Sequence, residues 1–178
     1  MTPVRIGVLG LGTVGGGTVN VLRRNGEEIA RRAGRDVTVT RAAVRSLDRA
    51  RICATDGTAL TTDPGEIVRD PDIEVVVELI GGTDPARRLV LEAIERGKHV
   101  VTANKALIAM HGNEIFEAAH AHGVMVAFEA AVAGGIPIIK ALREGLAGNR
   151  IEWLPGGDNR TSHILLHPHP AAGAALPA

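Results

Sequence analysis

The sequence predicts an α/β fold: a doubly wound, mostly parallel sheet with helices on both faces. Three observations predict it. Short apolar or β-branched runs alternate with helical stretches along most of the chain. The runs at 4–10 and 72–80 are continuously apolar in their middles, the pattern of strands buried on both faces. The first of them also ends in a glycine-rich turn that opens a helix.

Residues 4–10 form the first strand, and residues 14–32 read as a helix whose apolar positions include Val19, Leu22 and Ile29. The β-branched run from Val37 to Val44 is the second strand. A loop-rich stretch follows, in which Asp63-Pro64-Gly65 marks a turn and a helix start. Residues 72–80, with Val75-Val76-Val77, are a strand, and residues 85–96 are a helix opened by Pro85 and closed by Gly97. Residues 99–102 are a strand, 113–122 a helix closed by Gly123, and 124–128 a strand. Pro137 opens a helix with Ile138, Ile139, Leu142 and Leu146 on one side, and residues 150–154 begin a further strand. The expected organisation is a folded domain over 1–154 and a divergent, disordered tail over 155–178, where His167-Pro168-His169-Pro170 and closing Ala, Gly and Pro residues carry no periodic pattern.

Composition narrows the function classes. The chain has 178 residues, 45% of them hydrophobic but only 2% aromatic, so the core is aliphatic. The formal net charge is zero, which argues against nucleic acid as a partner. No apolar run is long enough to span a bilayer, the N-terminus has no signal-peptide pattern, and the single Cys53 cannot form an internal disulfide. A cytoplasmic protein is expected. The only lysines are Lys98, Lys105 and Lys140 in an Arg-rich chain, which is either codon usage or a sign that each sits where a compact ammonium is wanted.

Gly10-Leu11-Gly12-Thr13-Val14-Gly15 matches G-x-G-x-x-G between a strand and a helix, the context that gives this pattern its meaning. Gly10 permits the tight turn, Gly12 lets a pyrophosphate approach the backbone, and Gly15 lets helix and strand pack closely. The helix start adds unpaired N–H groups and a partial positive charge. The expected fold is therefore Rossmann-type and the expected ligand NAD or NADP. Arg45-Ser46 follows the second strand with no acidic residue before Asp48, which leans towards NADP; a solvated surface Arg is the alternative.

Ala103-Asn104-Lys105 follows the strand 99–102, at the edge where open parallel sheets bind ligands. Lys105 either faces that cleft, where its charge steadies a carbonyl or carboxylate, or points to solvent from a helix start. Residues 128–137 hold one carboxylate, Glu129, among small residues with exposable carbonyls. By its residues alone this is a tight strand-to-helix turn; as a cation site, its single carboxylate suits a monovalent ion. His120 and His122, like His167 and His169, have no metal-site spacing.

Together these segments resemble the N-terminal part of homoserine dehydrogenases. The resemblance lies in Ile6 to Gly15, in Thr102-Ala103-Asn104-Lys105-Ala106-Leu107-Ile108-Ala109, and in residues 128–148, and covers about residues 3–154. It implies NAD(P)H-dependent interconversion of L-aspartate 4-semialdehyde and L-homoserine, in the biosynthesis of threonine, isoleucine and methionine. It also implies Leu11, Thr13 and Val14 along the cofactor phosphates, Arg45 near the adenine ribose, Asn104 and Lys105 among the cofactor-binding residues, and Lys105 beside the nicotinamide and substrate as the catalytic residue. Glu129, with backbone oxygens of Val132, Gly134 and Ile136, matches the family's sodium site.

The resemblance fades after 154. Where the family continues with a segment like G-I-I-N-G-T-T-N-Y-I-L, this chain has Gly156-Gly157-Asp158-Asn159-Arg160-Thr161-Ser162-His163-Ile164-Leu165-Leu166. Only the beginning of a second, catalytic and dimerisation domain is then expected, a truncated chain without the family's second catalytic lysine. The expected behaviour is cofactor binding with little turnover. The alternatives are a non-catalytic NADP-binding module needing a partner chain or self-association, and another NADP-dependent reductase.

Overall fold

A computed structural model describes residues 2–152. Six strands form one sheet in the order β3-β2-β1-β4-β5-β6, and every neighbouring pair is parallel. The strands are β1 (Val4–Leu9), β2 (Val37–Ala43), β3 (Ala59–Thr61), β4 (Val75–Glu78), β5 (His99–Thr102) and β6 (Val126–Ala127). This is the order of a doubly wound dinucleotide-binding sheet, whose order reverses between β1 and β4. The helices are α1 (Thr13–Arg24), α2 (Gly26–Ala33), α3 (Pro64–Arg69), α4 (Asp84–Glu95) and α5 (Lys105–Ala121).

Alternation along the strands splits the core into two layers. Ile6, Val8, Ala42 and Val77 point to one side and pack with Val19 of α1, Leu11 and Cys53. Leu9, Ala43, Val76, Val100 and Val126 point to the other, against Ile67 and Val68 of α3, Leu89, Val90 and Ile94 of α4, and Leu107 and Ile115 of α5. The aliphatic core expected from composition is thus divided by the sheet. Among the described residues no helix is long and apolar enough to cross a membrane.

The structure corrects several expected elements. The helix over 14–32 is two helices separated by Asn25, whose φ of −109° and ψ of 19° leave the helical region; Asn25-Gly26 pairs two weak helix formers. Strand β3 lies in the stretch read as loop. Helix α5 starts at Lys105 instead of 113, because Asn104 caps it, its Oδ1 accepting from Leu107 N at 3.1 Å. Gly112, just before the expected start at 113, is buried in mid-helix beside Phe116.

The chain divides into two compact units, Met1–Ile139 and Lys140–Ala178. The helix expected after Pro137 is one turn, Ile138–Lys140, followed by a wider coil over Ala141–Gly145 closed by Leu146 N donating to Ala141 O at 2.9 Å. The i-to-i+5 bond at its end makes this a π-type turn, not an α-helix. Residues 150–152, expected to begin a strand, are not in strand conformation and pair with no strand among the described residues. The expected boundary at 154 and the tail over 155–178 lie outside the described residues.

Lys98 has a structural use. It is buried, and its Nζ donates to the carbonyls of Asp70 and of Ile73, the latter at 2.7 Å. Burial pulls its pKa below the ordinary lysine value, against an opposing pull from Asp70.

Arg87 of α4 and Glu114 of α5 join their helices through a two-pronged ion pair, Arg87 Nε to Oε2 at 2.7 Å with Nη2 on Oε1. The hydrogen bond from Arg87 holds the Glu114 carboxyl below its ordinary pKa. A carboxyl depressed in the folded state contributes stability above its unfolded pKa and loses it as pH falls through the folded value. Glu114→Gln should therefore lower the urea midpoint at pH 7 and have a shrinking effect below about pH 4, read from paired melts at the two pH values.

Candidate functional site

The carboxyl ends of β1, β4, β5 and β6 bring together most of the residues singled out by sequence. At the end of β1, Gly10 has φ +101°, and its N–H donates to Ala43 O at 3.0 Å. A side chain there would be strained by the backbone angle and would meet Leu79 O at 2.9 Å. Gly15 has no such φ, but its missing side chain matters more: a Cβ would lie 1.9 Å from Gly10 O. Around Gly12, by contrast, an added Cβ would find nothing within 4 Å. One glycine closes helix onto strand, and the other keeps the approach to the backbone open.

Helix α1 begins beyond Gly12, and the first bond of its ladder, Gly16 N to Gly12 O, is 2.8 Å. No side chain caps this end and no acidic residue lies in its first turn. The amides before Gly16 and the positive end of the helix dipole are left for an anion from outside. Leu11 is buried beneath the turn, whereas Thr13 and Val14 are exposed, Val14 at 58%.

Arg45 lies just beyond β2, exposed, and among the described residues no carboxylate pairs with it. Sequence reasoning missed what shapes its loop. Arg51 gathers three carbonyls, donating from Nη2 to Ser46 O at 2.6 Å and from Nη1 to Leu47 O and Arg49 O at 3.1 and 2.9 Å. Arg51 therefore frames the loop that begins at Arg45.

At the ends of β4 and β5, buried Glu78 accepts from Ile80 N at 3.0 Å and Gly81 N at 3.2 Å through Oε1, and from Thr102 Oγ1 at 2.6 Å through Oε2. Thr102 Oγ1 in turn accepts from Asn104 N at 3.0 Å, and Asn104 Nδ2 donates to Gly82 O at 2.6 Å. Lys105 follows as the first residue of α5, exposed and with no carboxylate partner among the described residues. A cation is disfavoured at a helix N-terminus, and α5 has no acidic residue in its first turn to offset it. Sequence reasoning also missed Glu78, though a lone acid closing Val75-Val76-Val77 was a visible signal.

Glu129 opens a short 3-10 turn after β6, half-buried, and its Oε1 accepts from Ile139 N at 2.9 Å. The loop beyond it turns at Ala133, with φ 46°, and at Gly135, with φ 86°. It runs through Val132, Gly134 and Ile136, whose N–H donates to Ala133 O at 2.9 Å. One carboxylate and a run of carbonyls make an all-oxygen donor set. Among the described residues no three His, Cys, Asp or Glu side chains group to hold a metal ion.

A hollow of about 180 Å³ lies elsewhere, between α1, the start of β2 and the turn at 56–58. Its charged walls, Arg23 and Asp56, pair with each other, so it lacks the free donors of the carboxyl edge.

Comparison with known proteins agrees with this fold. The model of one protein family, "Homoserine dehydrogenase, NAD binding domain", matches residues 10–129. The chain belongs to the homoserine dehydrogenase family. The homoserine dehydrogenase of Pseudomonas aeruginosa is 59% identical over 177 residues, covering 99% of this chain and 40% of that protein. The crystal structure of a homoserine dehydrogenase from Thiobacillus denitrificans superposes with a TM-score of 0.81 at 68% identity, over 85% of this chain and 35% of that one. That of Staphylococcus aureus homoserine dehydrogenase gives 0.71 at 36% identity, over 76% and 34%. The chain thus spans about 40% of the length of the curated homoserine dehydrogenases it matches, and the matched family model is their NAD-binding part.

The two glycines separate stability from binding. Gly15→Ala should cost about 1–3 kcal/mol, because backbone at Gly10 must move to admit the new carbon. Gly12→Ala should stay within about 1 kcal/mol of wild type, since space and backbone angle both accept it, while weakening nucleotide binding. Denaturant melts and a nucleotide titration of each variant check both halves.

Proposed function

We propose that the chain is the nucleotide-binding part of a homoserine dehydrogenase, taking NADP or NAD at the carboxyl edge of its sheet and serving the NAD(P)H-dependent interconversion of L-aspartate 4-semialdehyde and L-homoserine in the cytoplasm. The glycine cradle carries this reading: an open approach at Gly12, an uncapped α1 and the close packing at Gly15. These residues fit a diphosphate. Leu11, Thr13 and Val14 would lie along it, where α1 offers backbone N–H groups. Arg45, held in a loop framed by Arg51, would meet a 2′-phosphate on the adenine ribose, which favours NADP over NAD. Asn104 and Lys105 would face the nicotinamide and substrate.

Bound there, the cofactor supplies the hydride. Lys105 would hold its ammonium near the substrate oxygen, steadying the charge that develops on it and exchanging its proton. Glu129 and the carbonyls of Val132, Gly134 and Ile136 would hold a sodium ion; a donor set with one carboxylate suits a single positive charge. The remaining length of the family's members would supply the rest of the substrate site, in the same polypeptide or in a partner chain or second copy.

Residues 1–178 by themselves should bind NADPH saturably, as read by nucleotide fluorescence, and show little or no turnover of L-aspartate 4-semialdehyde. Well-folded protein with no saturable binding of either nicotinamide nucleotide would overturn the reading, and robust turnover would overturn its second half. Arg45→Ala should weaken NADPH by about tenfold or more and NADH by less than about twofold, the loss of one charge-assisted contact. Equal weakening of both nucleotides would remove Arg45 from the 2′-phosphate.

A further inference from the structure

Neither the glycine cradle nor Lys105 accounts for Glu78. It is 0% exposed at the end of β4, and among the described residues no Lys, Arg or His pairs with it. Burying a carboxylate without a cation is costly even when it is hydrogen-bonded, and an apolar residue would fill the same space more cheaply. A buried charge kept at this edge calls for a use that filling the core does not supply.

Its bonds form a closed ring between neighbouring strand ends. Oε1 takes the N–H groups of Ile80 and Gly81 and folds the turn back over β4; Gly81 and Gly82 both have positive φ, 73° and 74°. Gly82 O then receives Asn104 Nδ2, Asn104 N donates to Thr102 Oγ1, and Thr102 donates to Glu78 Oε2. The ring has one direction. A carboxylate only accepts, so the Thr102 hydroxyl spends its proton on Glu78 and keeps a lone pair for Asn104 N–H. Asn104 is also the cap of α5, through Leu107 N. One buried acid thus fixes both the glycine turn after β4 and the first residue of α5, which is Lys105.

We propose that Glu78 is a positioning residue, which through Thr102 and Asn104 holds the Gly81-Gly82 turn and Lys105 against the nicotinamide half of the bound cofactor, and not against its adenine half. This rests on the reading of the carboxyl edge as a dinucleotide site. The adenine half would meet α1 and the Arg45 loop, which no hydrogen bond of the ring reaches; the ring's link to β1 is the pairing of Glu78 with Leu9 and the seat of Ile80 beside Gly10.

The test uses the whole 178-residue chain and two ligands, NADPH and 2′-phospho-ADP-ribose, which has the same diphosphate and adenine half but no nicotinamide. Glu78→Gln puts an NH2 where the ring needs an acceptor, and Thr102→Val removes the hydroxyl that joins the strands. Each should weaken NADPH by about tenfold, the size of a coupling carried by a hydrogen-bond network, and the fragment by less than about twofold. The double variant should lose no more than the worse single one, because both cut one ring. Thr102→Ser, which keeps the hydroxyl, should restore wild-type affinity.

Equal weakening of both ligands, or of neither, in variants that melt like wild type would overturn the proposal. So would loss of folding in Thr102→Val as well as Glu78→Gln, which would assign the ring to stability alone. If the wild-type chain binds neither ligand, the dinucleotide reading itself has failed, and the role of Glu78 falls with it; binding by wild type with unselective variants would remove only the role of Glu78.

Discussion

Helix α1 can lie against the end of β1 only because Gly15 has no side chain. The distance of 1.9 Å between an added Cβ and Gly10 O is far inside any van der Waals contact. The contact brings the open N-terminus of α1 to the carboxyl edge of the sheet at the point where strand order reverses from β1 to β4. Move α1 outward by the width of a methyl group, and its amides no longer face the space left clear above Gly12. Position of the open N-terminus of α1 and packing of the first βαβ unit are thus one constraint.

The electrostatics of the same edge follow a consistent pattern. Helices α2, α3 and α4 carry acidic residues in their first turns, as the helix dipole favours. Helices α1 and α5, whose N-termini lie at the strand ends described above, carry none. At α5 the first residue is a lysine, the wrong sign for local stability. The two helix ends that depart from the ordinary pattern are the two that the dinucleotide reading uses, and departures of this kind are expected where function competes with folding.

How much of this was legible in the sequence depended on the range of the interaction. The glycine turn, β1, β2, β4, β5 and α4 follow from local pattern, because Val75-Val76-Val77 or Pro85 to Gly97 declare themselves without a partner. Strand β3 does not: Ala59-Leu60-Thr61 is a strand only because Arg41, Ala42 and Ala43 pair with it. The start of α5 was hidden by Gly112, whose place in mid-helix is settled by Phe116 beside it. At the site, Lys105 and Arg45 could be picked out by position after a strand. Arg51 could not, and Glu78 showed only as an acid closing an apolar run, since their roles lie in the groups they hold, three loop carbonyls in one case and two strand ends in the other.

The sheet ends on either side in very short strands, three residues in β3 and two in β6. Among the described residues nothing extends the sheet past either strand, and a margin of that length offers a foreign chain only one or two backbone hydrogen bonds, too few to template a further strand and seed fibrillar growth. A protein with an aliphatic, valine-rich parallel sheet at its centre would otherwise carry a strong tendency to coalesce edge to edge. Brevity at both margins keeps the stickiest part of the molecule from propagating beyond itself.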